Sequence, residues 1–281
     1  MAEIKTNEKK LVSEIQTLKK ELESVNEKLN KSEAFKSHFI SNITNEIINP
    51  FTSIIGISKS IMQLDGSHIG QIHSMANLVF NEAFDLDFQL KNIFEAAKIE
   101  AGETEIEASS IDIGEIIDEE VERFRFKAEK KNLYFSVEPA NAETERFISD
   151  TGKLRIIISN LISNAIKFSD EKNKISIGYQ IKNEKFIFTI SNKGISLSDN
   201  DIKIMFDRFA KLDNEINSLN QGHGLGLSIV GFYVELLDGK IDIVSKANIN
   251  TVTIELPGLE GYDFDFQSND TEFFSNDPEL F

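Results

Sequence analysis

The sequence predicts α and α+β architecture: an antiparallel helical hairpin that forms a dimeric four-helix bundle, followed by a two-layer α/β sandwich. Three observations support this prediction. Heptad-spaced apolar residues run through the N-terminal part, a second helical period covers residues 69–101, and strand and helix patterns mix after Gly102. Because strands and helices do not alternate strictly after Gly102, a two-layer sandwich is favoured over a doubly wound parallel sheet.

The composition excludes several classes of protein. The 281 residues carry a formal net charge of −17, with 40% hydrophobic and 27% charged residues. This acidity argues against a nucleic-acid binder or an anionic-membrane binder, since both need a basic surface. The lack of cysteine excludes disulfides, Cys-based zinc sites and thiol catalysis. With no apolar run near about 18 residues, we expect no membrane segment and a cytoplasmic protein, or a cytoplasmic piece of a longer one.

Residues 1–35 predict a coiled-coil signalling helix. Its apolar residues are spaced alternately four and three apart, with lysine and glutamate between them: Leu11, Ile15, Leu18, Leu22, Val25 and Leu29. Such a seam needs a partner helix to bury it. A second seam follows one residue out of step, which resembles a stutter. We expect both seams to lie on one long helix that is kinked at Pro50, since proline removes a backbone donor and clashes with the preceding turn.

Residues 36–103 predict a helical hairpin that dimerises. The sequence Asp65-Gly66-Ser67 breaks the first helix. The second helix, over residues 69–101, has an apolar face formed by Ile72, Leu78, Val79, Leu86, Leu90, Ile93 and Phe94. Two antiparallel helices cannot bury a continuous seam alone, whereas two copies can do so in a four-helix bundle. We therefore expect a homodimer.

Residues 108–258 predict the α/β sandwich. Helices are expected over residues 111–126, 150–168 and 224–237. Strands are expected at residues 134–138, 147–149, 175–181, 186–191, 241–245 and 251–256, with the third and fourth forming a hairpin around Asn183.

The last segment, residues 259–281, differs in composition from the rest. From Gly261 onward it contains six acidic residues, six aromatic residues and no base. Neither a helical nor a strand period holds there, so we expect a mostly disordered tail. An acidic-aromatic docking peptide is the alternative, because buried aromatic residues dominate many binding interfaces.

Four segments, in order along the chain, resemble the sensor histidine kinases of two-component signalling. They are the phosphoacceptor-like box at residues 39–51 (FISNITNEIINPF), the N box at 150–168 (DTGKLRIIISNLISNAIKF), the F box at 204–209 (IMFDRF) and the second glycine box at 222–227 (GHGLGL). The resemblance spans residues 32–257. It implies a dimerisation and phosphoacceptor hairpin followed by an ATPase domain of the GHKL (Bergerat) type.

The phosphoacceptor position departs from this family. Where the family has a histidine that accepts the γ-phosphoryl group of ATP, this chain has Asn45. The nitrogen of a carboxamide is tied up in resonance, as in a peptide bond, so Asn45 cannot be the nucleophile. His38, one heptad earlier on the same stripe, is an alternative acceptor. It lies about 10.5 Å away along the helix and would need a different docking of the ATPase domain.

The first glycine box also departs from the family pattern. Asp-x-Gly-x-Gly becomes NKGIS at residues 192–196. The resemblance implies that position 192 accepts a hydrogen bond from the adenine amino group, which Asn192 can still do through its carbonyl oxygen. A neutral hydrogen bond contributes about 0.5–1.5 kcal/mol, against about 1.5–3 kcal/mol for a charged one. Ser196 would add about 1–2 kcal/mol if that backbone needs a positive φ. We expect ATP affinity that is weakened by roughly tenfold to several hundredfold.

The other nucleotide-site residues are retained, so the resemblance implies a site for ATP and Mg²⁺. Asn160 and Asn164 lie four residues apart on one helical face. The resemblance makes Asn164 the Mg²⁺ ligand and places Lys167 at the phosphates. Glycines let the backbone approach phosphate beside a helix N-terminus. The nucleotide-binding set is Asn160, Asn164, Lys167, Asn192, Gly194, Gly222, Gly224, Leu225 and Gly226.

Glu46 and Asn49 are also retained. The resemblance makes Glu46 the acid/base for the missing histidine, and it makes Asn49 a residue that holds a water for hydrolysis of phospho-aspartate on a response-regulator receiver. The preferred interpretation is a pseudokinase or regulator with weakened ATP binding, which binds a response-regulator receiver or a partner histidine kinase. Three alternatives remain: an active phosphatase using Glu46 and Asn49, a kinase acting in trans, and a bare coiled-coil scaffold.

Overall fold

The computed structural model describes residues 47–139, 146–198 and 225–259, together with residues 19–20, 22 and 201–202. Residues 19, 20 and 22 are helical. The rest of the predicted coiled coil, the box around Asn45 and residues 260–281 of the tail lie outside the described residues, so their predicted structures stay predictions. None of the described helices combines the length and the apolarity that crossing a bilayer requires.

The helical hairpin has the two helices that the sequence predicts. Helix α1 is described over residues 47–61 and continues through Pro50, while the kink there stays a prediction. The Asp65 carboxylate accepts a hydrogen bond from the Ser67 backbone amide at 2.9 Å, and a short 3-10 turn, Gly66–His68, follows. Helix α2, Ile69–Ala101, ends at Gly102, whose φ of 69° lies in the left-handed region that glycine adopts without steric cost.

The described part of the α/β sandwich contains two sheets and three helices. The strands are β1 (Ala108–Asp112), β2 (Tyr134–Pro139), β3 (Arg146–Asp150), β4 (Lys174–Lys182), β5 (Lys185–Lys193), β6 (Lys240–Lys246) and β7 (Ile249–Pro257). The helices are α3 (Ile113–Lys130), α4 (Thr151–Phe168) and α5 (Leu225–Leu236). The larger sheet has the order β2-β4-β5-β7-β6, and β1 pairs with β3 separately. Only the β2–β4 pair is parallel among these strands.

The β4–β5 hairpin confirms the turn predicted around Asn183. Asn183 and Glu184 have φ values of 50° and 60°, which is the geometry of the tight turns that match the twist of paired strands. Strand β4 pairs with β5 from Ile175, opposite Asn192, to Lys182, opposite Lys185. This register places Asn192 at the end of β5 far from the turn.

The start of α3 corrects one prediction. The sequence pattern assigned residues 111–126 to a helix, but Ile111 lies in strand β1, opposite Phe147 of β3. Asp112 is extended, and its carboxylate accepts a hydrogen bond from the Glu115 backbone amide at 3.1 Å. Strand β1 therefore ends at the residue that caps helix α3. The strand was missed because Ile111 also fits the helical spacing of the residues that follow it.

The hydrophobic core lies between the helices and one face of the large sheet. On β5, Phe186, Phe188 and Ile190 alternate with more exposed residues and are no more than 2% exposed, as strand geometry requires. Helix α4 covers this face with buried Leu154 and Ile158. The last member of the same inward row of β5 is Asn192, so a polar side chain ends an apolar row.

Helix α2 packs against the sandwich along its C-terminal half. Ile93 is buried in the same core, and the Phe88 ring meets the Phe124 ring of α3 edge to face, with centroids 5.5 Å apart. The sequence pattern placed Leu78 and Phe94 on the apolar face of α2, but within the single chain they are 42% and 61% exposed. Ile93 and Phe94 differ because adjacent helical residues point about 100° apart.

Candidate functional site

Helix α4, which carries the N box, is fixed at its first turn by Asp150. The Asp150 carboxylate accepts hydrogen bonds from the backbone amides of Lys153 at 2.9 Å and Glu107 at 2.8 Å, and from Lys153 Nζ at 2.6 Å. Burial raises the pKa of Asp150, but these hydrogen bonds and the Lys153 charge outweigh it, so the pKa lies below its ordinary value. The carboxylate is therefore ionised at neutral pH and acts as the N-cap of α4.

A charged network connects this first turn of α4 to helix α2. Lys153 Nζ lies 5.9 Å from the centroid of the Tyr233 ring of α5, and the Tyr233 hydroxyl donates a hydrogen bond to the Glu95 carboxylate of α2. Burial and the adjacent Glu95 raise the pKa of Tyr233 well above its ordinary value. The tyrosine therefore stays protonated and serves as the hydrogen-bond donor between α5 and α2.

Asn160 of the N box forms a reciprocal amide pair with Asn92 of α2. Asn92 Nδ2 donates to Asn160 Oδ1 at 3.0 Å, and Asn160 Nδ2 donates to Asn92 Oδ1 at 2.9 Å. Asn160 Nδ2 also donates to the Ile156 carbonyl at 2.9 Å. Because Asn160 is 2% exposed, its amide is committed to α2 in this structure. The sequence analysis placed Asn160 in the nucleotide site and did not single out Asn92, although a polar residue beside buried Ile93 is a usable signal.

The second glycine box meets the N box at Asn160. A Cβ atom on Gly226 would lie 2.6 Å from Asn160 Oδ1, so a side chain there would displace the asparagine. Leu225 is buried in the core, and a contact between Leu225 and a ligand would have to use its backbone. Gly222 and Gly224 lie outside the described residues.

Asn164 and Lys167 lie on α4 beyond Asn160, and both side chains are half-buried. Lys167 Nζ is 5.0 Å from the centroid of the Phe168 ring. The described residues contain no cluster of three or more His, Asp or Glu side chains that could hold a metal ion. A cation bound beside α4 would therefore be coordinated by amide oxygens of the protein and by oxygens of a bound nucleotide, as Mg²⁺ is when it binds together with a nucleotide.

The first glycine box lies where the end of β5 approaches the end of α4. Asn192 is 8% exposed, and its Nδ2 has no hydrogen-bond partner among the described residues. A Cβ atom on Gly194 would lie 2.0 Å from the carbonyl oxygen of Phe168 and 3.3 Å from Asn192 Nδ2. Only glycine permits this close approach, so Gly194 is required for space and not for a positive φ.

The backbone that follows Gly194 is held by the β6–β7 hairpin. The Gly194 amide donates to the Asn248 carbonyl at 2.8 Å, Asn250 Nδ2 donates to the Ile195 carbonyl at 3.0 Å, and the Ser196 hydroxyl donates to Asn248 Oδ1 at 2.7 Å. Ser196 is not among the residues with positive φ. The strain expected for serine at a glycine position is therefore absent, and the side chain forms a hydrogen bond instead.

The three remaining predicted residues belong to the hairpin. Asn49 is exposed on helix α1, where its side chain is accessible to a partner. Asn45 and Glu46 lie outside the described residues, so the structure does not test the phosphoacceptor position.

Comparison with known families assigns the class of this fold and site. Residues 149–260 match the family described as "Histidine kinase-, DNA gyrase B-, and HSP90-like ATPase". The matched segment contains α4, the large sheet from β4 onward, and both glycine boxes. The chain therefore carries a GHKL-type ATPase domain, an ATP-binding domain, as the motifs predicted.

Curated relatives extend the similarity over most of the chain. The heme sensor protein HssS of Staphylococcus aureus is 28% identical over 245 residues, which are 87% of this chain and 52% of the relative. The hybrid signal transduction histidine kinase D of Dictyostelium discoideum is 28% identical over 253 residues, or 16% of its own length. The chain thus spans about half of HssS and a small part of the Dictyostelium kinase. It is a relative of the two-component sensor histidine kinases, as its sequence motifs predicted.

Solved structures show the same fold. The Acinetobacter baumannii histidine kinase AdeS aligns with a TM-score of 0.53 at 17% identity, covering 76% of this chain and 98% of AdeS. Full-length ShkA, solved in complex with AMPPNP, aligns with a TM-score of 0.55 at 18% identity, covering 78% of this chain and 45% of ShkA. Both alignments cover most of the chain, so the helical region and the sandwich share their fold with histidine kinases.

The described residues supply one group that a nucleotide base could use, the buried Asn192 amide, whose Nδ2 has no partner among them. The approach of Gly194 to the Phe168 carbonyl leaves no room for a ligand between these two stretches of backbone. A base bound next to Asn192 could accept a hydrogen bond from Asn192 Nδ2 or donate one to Oδ1.

Proposed function

We propose that this chain is a two-component signalling protein that has lost autophosphorylation and acts as a pseudokinase or regulator. The observation that carries this proposal is Asn45 at the position of the phosphoacceptor histidine, in a chain that keeps a GHKL-type ATPase domain. A carboxamide nitrogen cannot attack the γ-phosphorus of ATP because its lone pair is delocalised. The protein acts in the cytoplasm by binding a partner rather than by accepting phosphate.

The ATPase domain binds ATP with Mg²⁺, although more weakly than a domain with an aspartate at position 192. Asn192 and Gly194 hold the base. Asn164 provides an amide oxygen to Mg²⁺, and Lys167 provides a cation to the phosphates, which lie against the glycines at positions 222, 224 and 226. ATP supplies a phosphoryl group when bound, but residue 45 does not receive it.

Nucleotide binding is tested by thermal unfolding of the full chain with Mg²⁺ and increasing ATP. A ligand that binds only the native state raises the unfolding midpoint in proportion to the logarithm of its concentration above the dissociation constant. Full saturation is expected only at high ATP concentrations. An unchanged unfolding midpoint at all ATP concentrations would instead favour a bare scaffold, which functions only through its coiled coil and tail.

Loss of autophosphorylation is tested with γ-labelled ATP and Mg²⁺. The purified chain alone should acquire no acid-labile label, because Asn45 cannot accept it. Restoring the histidine with Asn45→His provides the matched variant and should introduce label if ATP binds and the ATPase domain reaches the hairpin. Label on His38 of the unmodified chain would refute the proposal. Label transferred to a second histidine kinase in a mixture would favour a kinase acting in trans.

The proposed partners are a second copy of the chain, and either a response-regulator receiver or another histidine kinase. Support for the homodimer comes from apolar side chains that remain exposed on the hairpin of a single chain, including Phe51, Ile55 and Phe80. We call these exposed apolar side chains of the two helices the exposed hairpin stripe. Such side chains are buried when two hairpins form a four-helix bundle. Sedimentation of the full chain should therefore give twice the monomer mass.

A phosphatase is the second candidate function, and the exposure of Asn49 on α1 favours it. Hydrolysis of phospho-aspartate needs a positioned water and no nucleophilic histidine. The chain should accelerate the loss of phosphate from its phosphorylated receiver, using Asn49 together with Glu46, three residues earlier in the sequence. Asn49→Ala should abolish this effect, whereas Lys59→Ala, an exposed change farther along α1, should not. Equal rates with and without the chain would exclude the phosphatase function.

A further inference from the structure

One edge of the large sheet lies beside an open groove. Strand β6 is the last strand in the order of that sheet, so none of the described strands pairs with its outer edge. The groove between β6 and helix α5 has a volume of about 410 Å³, and the residues that line it include Ser228, Gly231, Phe232, Glu235, Gly239 and Ile241. An apolar cavity of about 150 Å³ already binds benzene, so this groove has room for an aromatic ring.

An open strand edge beside such a groove can accept an extended segment of a particular pattern. The backbone of the segment pairs with the edge, while every second side chain points into the groove. Strand β6 itself follows this alternation, since Ile241 and Ile243 are the more buried residues and Lys240 and Asp242 are exposed. An added strand therefore needs large apolar side chains at alternate positions and polar side chains between them.

The tail contains this pattern shortly after the described part of the chain ends at Leu259. No period holds over the whole tail, but residues 262–266 read YDFDF. Aromatic residues and aspartates alternate there, which is the period of an amphipathic strand. In an extended conformation the rings lie on one side of the segment and the carboxylates on the other.

The tail starts close enough to reach this edge. Strand β7 ends at the end of the sheet where β6 begins, because Glu255 pairs with Lys240. The Gly258 amide donates to the Glu184 carbonyl at 2.9 Å, which places the start of the tail at the β4–β5 turn. A strand beyond β6 lies three strand spacings from β5, or about 14 Å. The chain from Leu259 to position 265 can span about 20 Å, so it can enter beside Lys240 and run parallel to β6.

Charge favours the acidic tail over a second copy of β6 as the occupant of this edge. Exposed Lys240 and Lys246 stand at the two ends of β6. Antiparallel pairing of two β6 strands over their full length would set Lys240 opposite Lys246 of the other copy, and like charges directly opposite are destabilising. If Asp265 lies beside Lys240, the next side chain on that face is Gln267, beside Asp242. The tail then meets a lysine with a carboxylate and meets the aspartate with an amide.

We propose that residues 262–267 of the tail form a strand along the outer edge of β6, in the register that sets Asp265 beside Lys240. Phe264 and Phe266 then point into the groove beside α5, and the ring burial stabilises the docked segment. Because the segment is tethered to the domain, its effective concentration is about millimolar, so a weak intrinsic affinity is sufficient. The docked tail closes this edge of the sheet to other strands.

Hydrogen–deuterium exchange of the full chain tests the docked strand. Backbone amides of residues 262–267 should exchange at least about tenfold more slowly than those of an unstructured chain. A variant with Phe264→Ser and Phe266→Ser should lose this protection, and the amides of β6 should exchange faster. The matched control carries Phe273→Ser and Phe274→Ser, in the same tail but outside the alternating segment, and should leave both regions unchanged.

An exchange of charges tests the register. Lys240→Glu should speed amide exchange in residues 262–267 by about two- to fivefold, because it replaces an attractive cross-strand pair with a repulsive one. Adding Asp265→Lys to Lys240→Glu should restore the protection. Lys246→Glu, at the other end of β6, should leave it unchanged.

Three results would overturn the proposal. The first is unprotected exchange of residues 262–267 in the unmodified chain, which does not depend on any variant folding. The second is protection of these residues that the Phe264 and Phe266 changes remove without affecting β6, since the tail would then bind elsewhere. The third is protection of β6 that survives those changes and disappears on dilution, since the edge would then belong to a second copy.

Discussion

The Asn92–Asn160 pair is a buried polar connection between the hairpin and the ATPase domain. Asn92→Ala removes two reciprocal hydrogen bonds of 3.0 and 2.9 Å and leaves Asn160 Oδ1 without its donor. Asn160 Nδ2 keeps its bond to the Ile156 carbonyl. A net hydrogen bond contributes about 0.5–1.5 kcal/mol and a buried orphaned group costs about 1–3 kcal/mol. We therefore expect a loss of about 2–3 kcal/mol in the free energy of unfolding.

A double-mutant cycle isolates the interaction from the effects of each single change. Asn160→Ala should cost a similar amount, and the double variant should cost little more than either single variant, because it leaves neither amide orphaned. The coupling energy should thus be about 2 kcal/mol, within the range seen for residues in direct contact. Urea unfolding followed by circular dichroism of the full chain measures all four proteins.

Lys91→Ala is the matched control for this cycle. Lys91 adjoins Asn92 on α2, but its ion pair with Asp87 is largely exposed on both sides, so the change should stay within about 0.5 kcal/mol. Additivity of the Asn92 and Asn160 changes to within about 0.3–0.5 kcal/mol would refute the reasoning, because independent sites do not share hydrogen bonds.

Three further predictions follow from the site. Gly194→Ala should destabilise the domain by about 1–3 kcal/mol in thermal unfolding, because the added Cβ would lie 2.0 Å from the Phe168 carbonyl oxygen. Gly56→Ala is the control and should not destabilise the protein, because a Cβ at this position on α1 has open space. Asp150→Asn should lower stability at neutral pH. The pKa of Asp150 in the folded protein is depressed, so its contribution to the free energy of unfolding is complete above the ordinary carboxyl pKa of about 3.9. This contribution disappears as the pH falls through the folded-state pKa. Asp150→Asn and the unmodified chain should therefore have the same stability in acid. Phe80→Ser should shift sedimentation toward the monomer if the exposed hairpin stripe forms the dimer interface, and a dimer of unchanged stability would contradict that placement.

Most of the elements could be predicted from local patterns. The hairpin break at Asp65, the turn at Asn183 and the helix over residues 150–168 each depend on residues close to one another in sequence, and the structure confirms them. Strand β1 was missed because Ile111 fits two periods equally well, and only its pairing with Phe147 decides between them. The nucleotide boxes were identified by residue type and spacing, which report chemistry but not contact partners.

The sequence by itself determined the class of the protein, the order of its elements and the chemistry of position 45, because periodicity, capping and the nature of a carboxamide are local properties. Tertiary structure decided how the boxes are used. Asn160 bonds to Asn92, 68 positions away, and the Ser196 hydroxyl donates a hydrogen bond to Asn248 of a distant hairpin. Among the described residues around it, Asn192 keeps a donor without a partner. These outcomes depend on how helices and strands dock, and spacing along the chain carries no information about the partner that docking brings to each side chain.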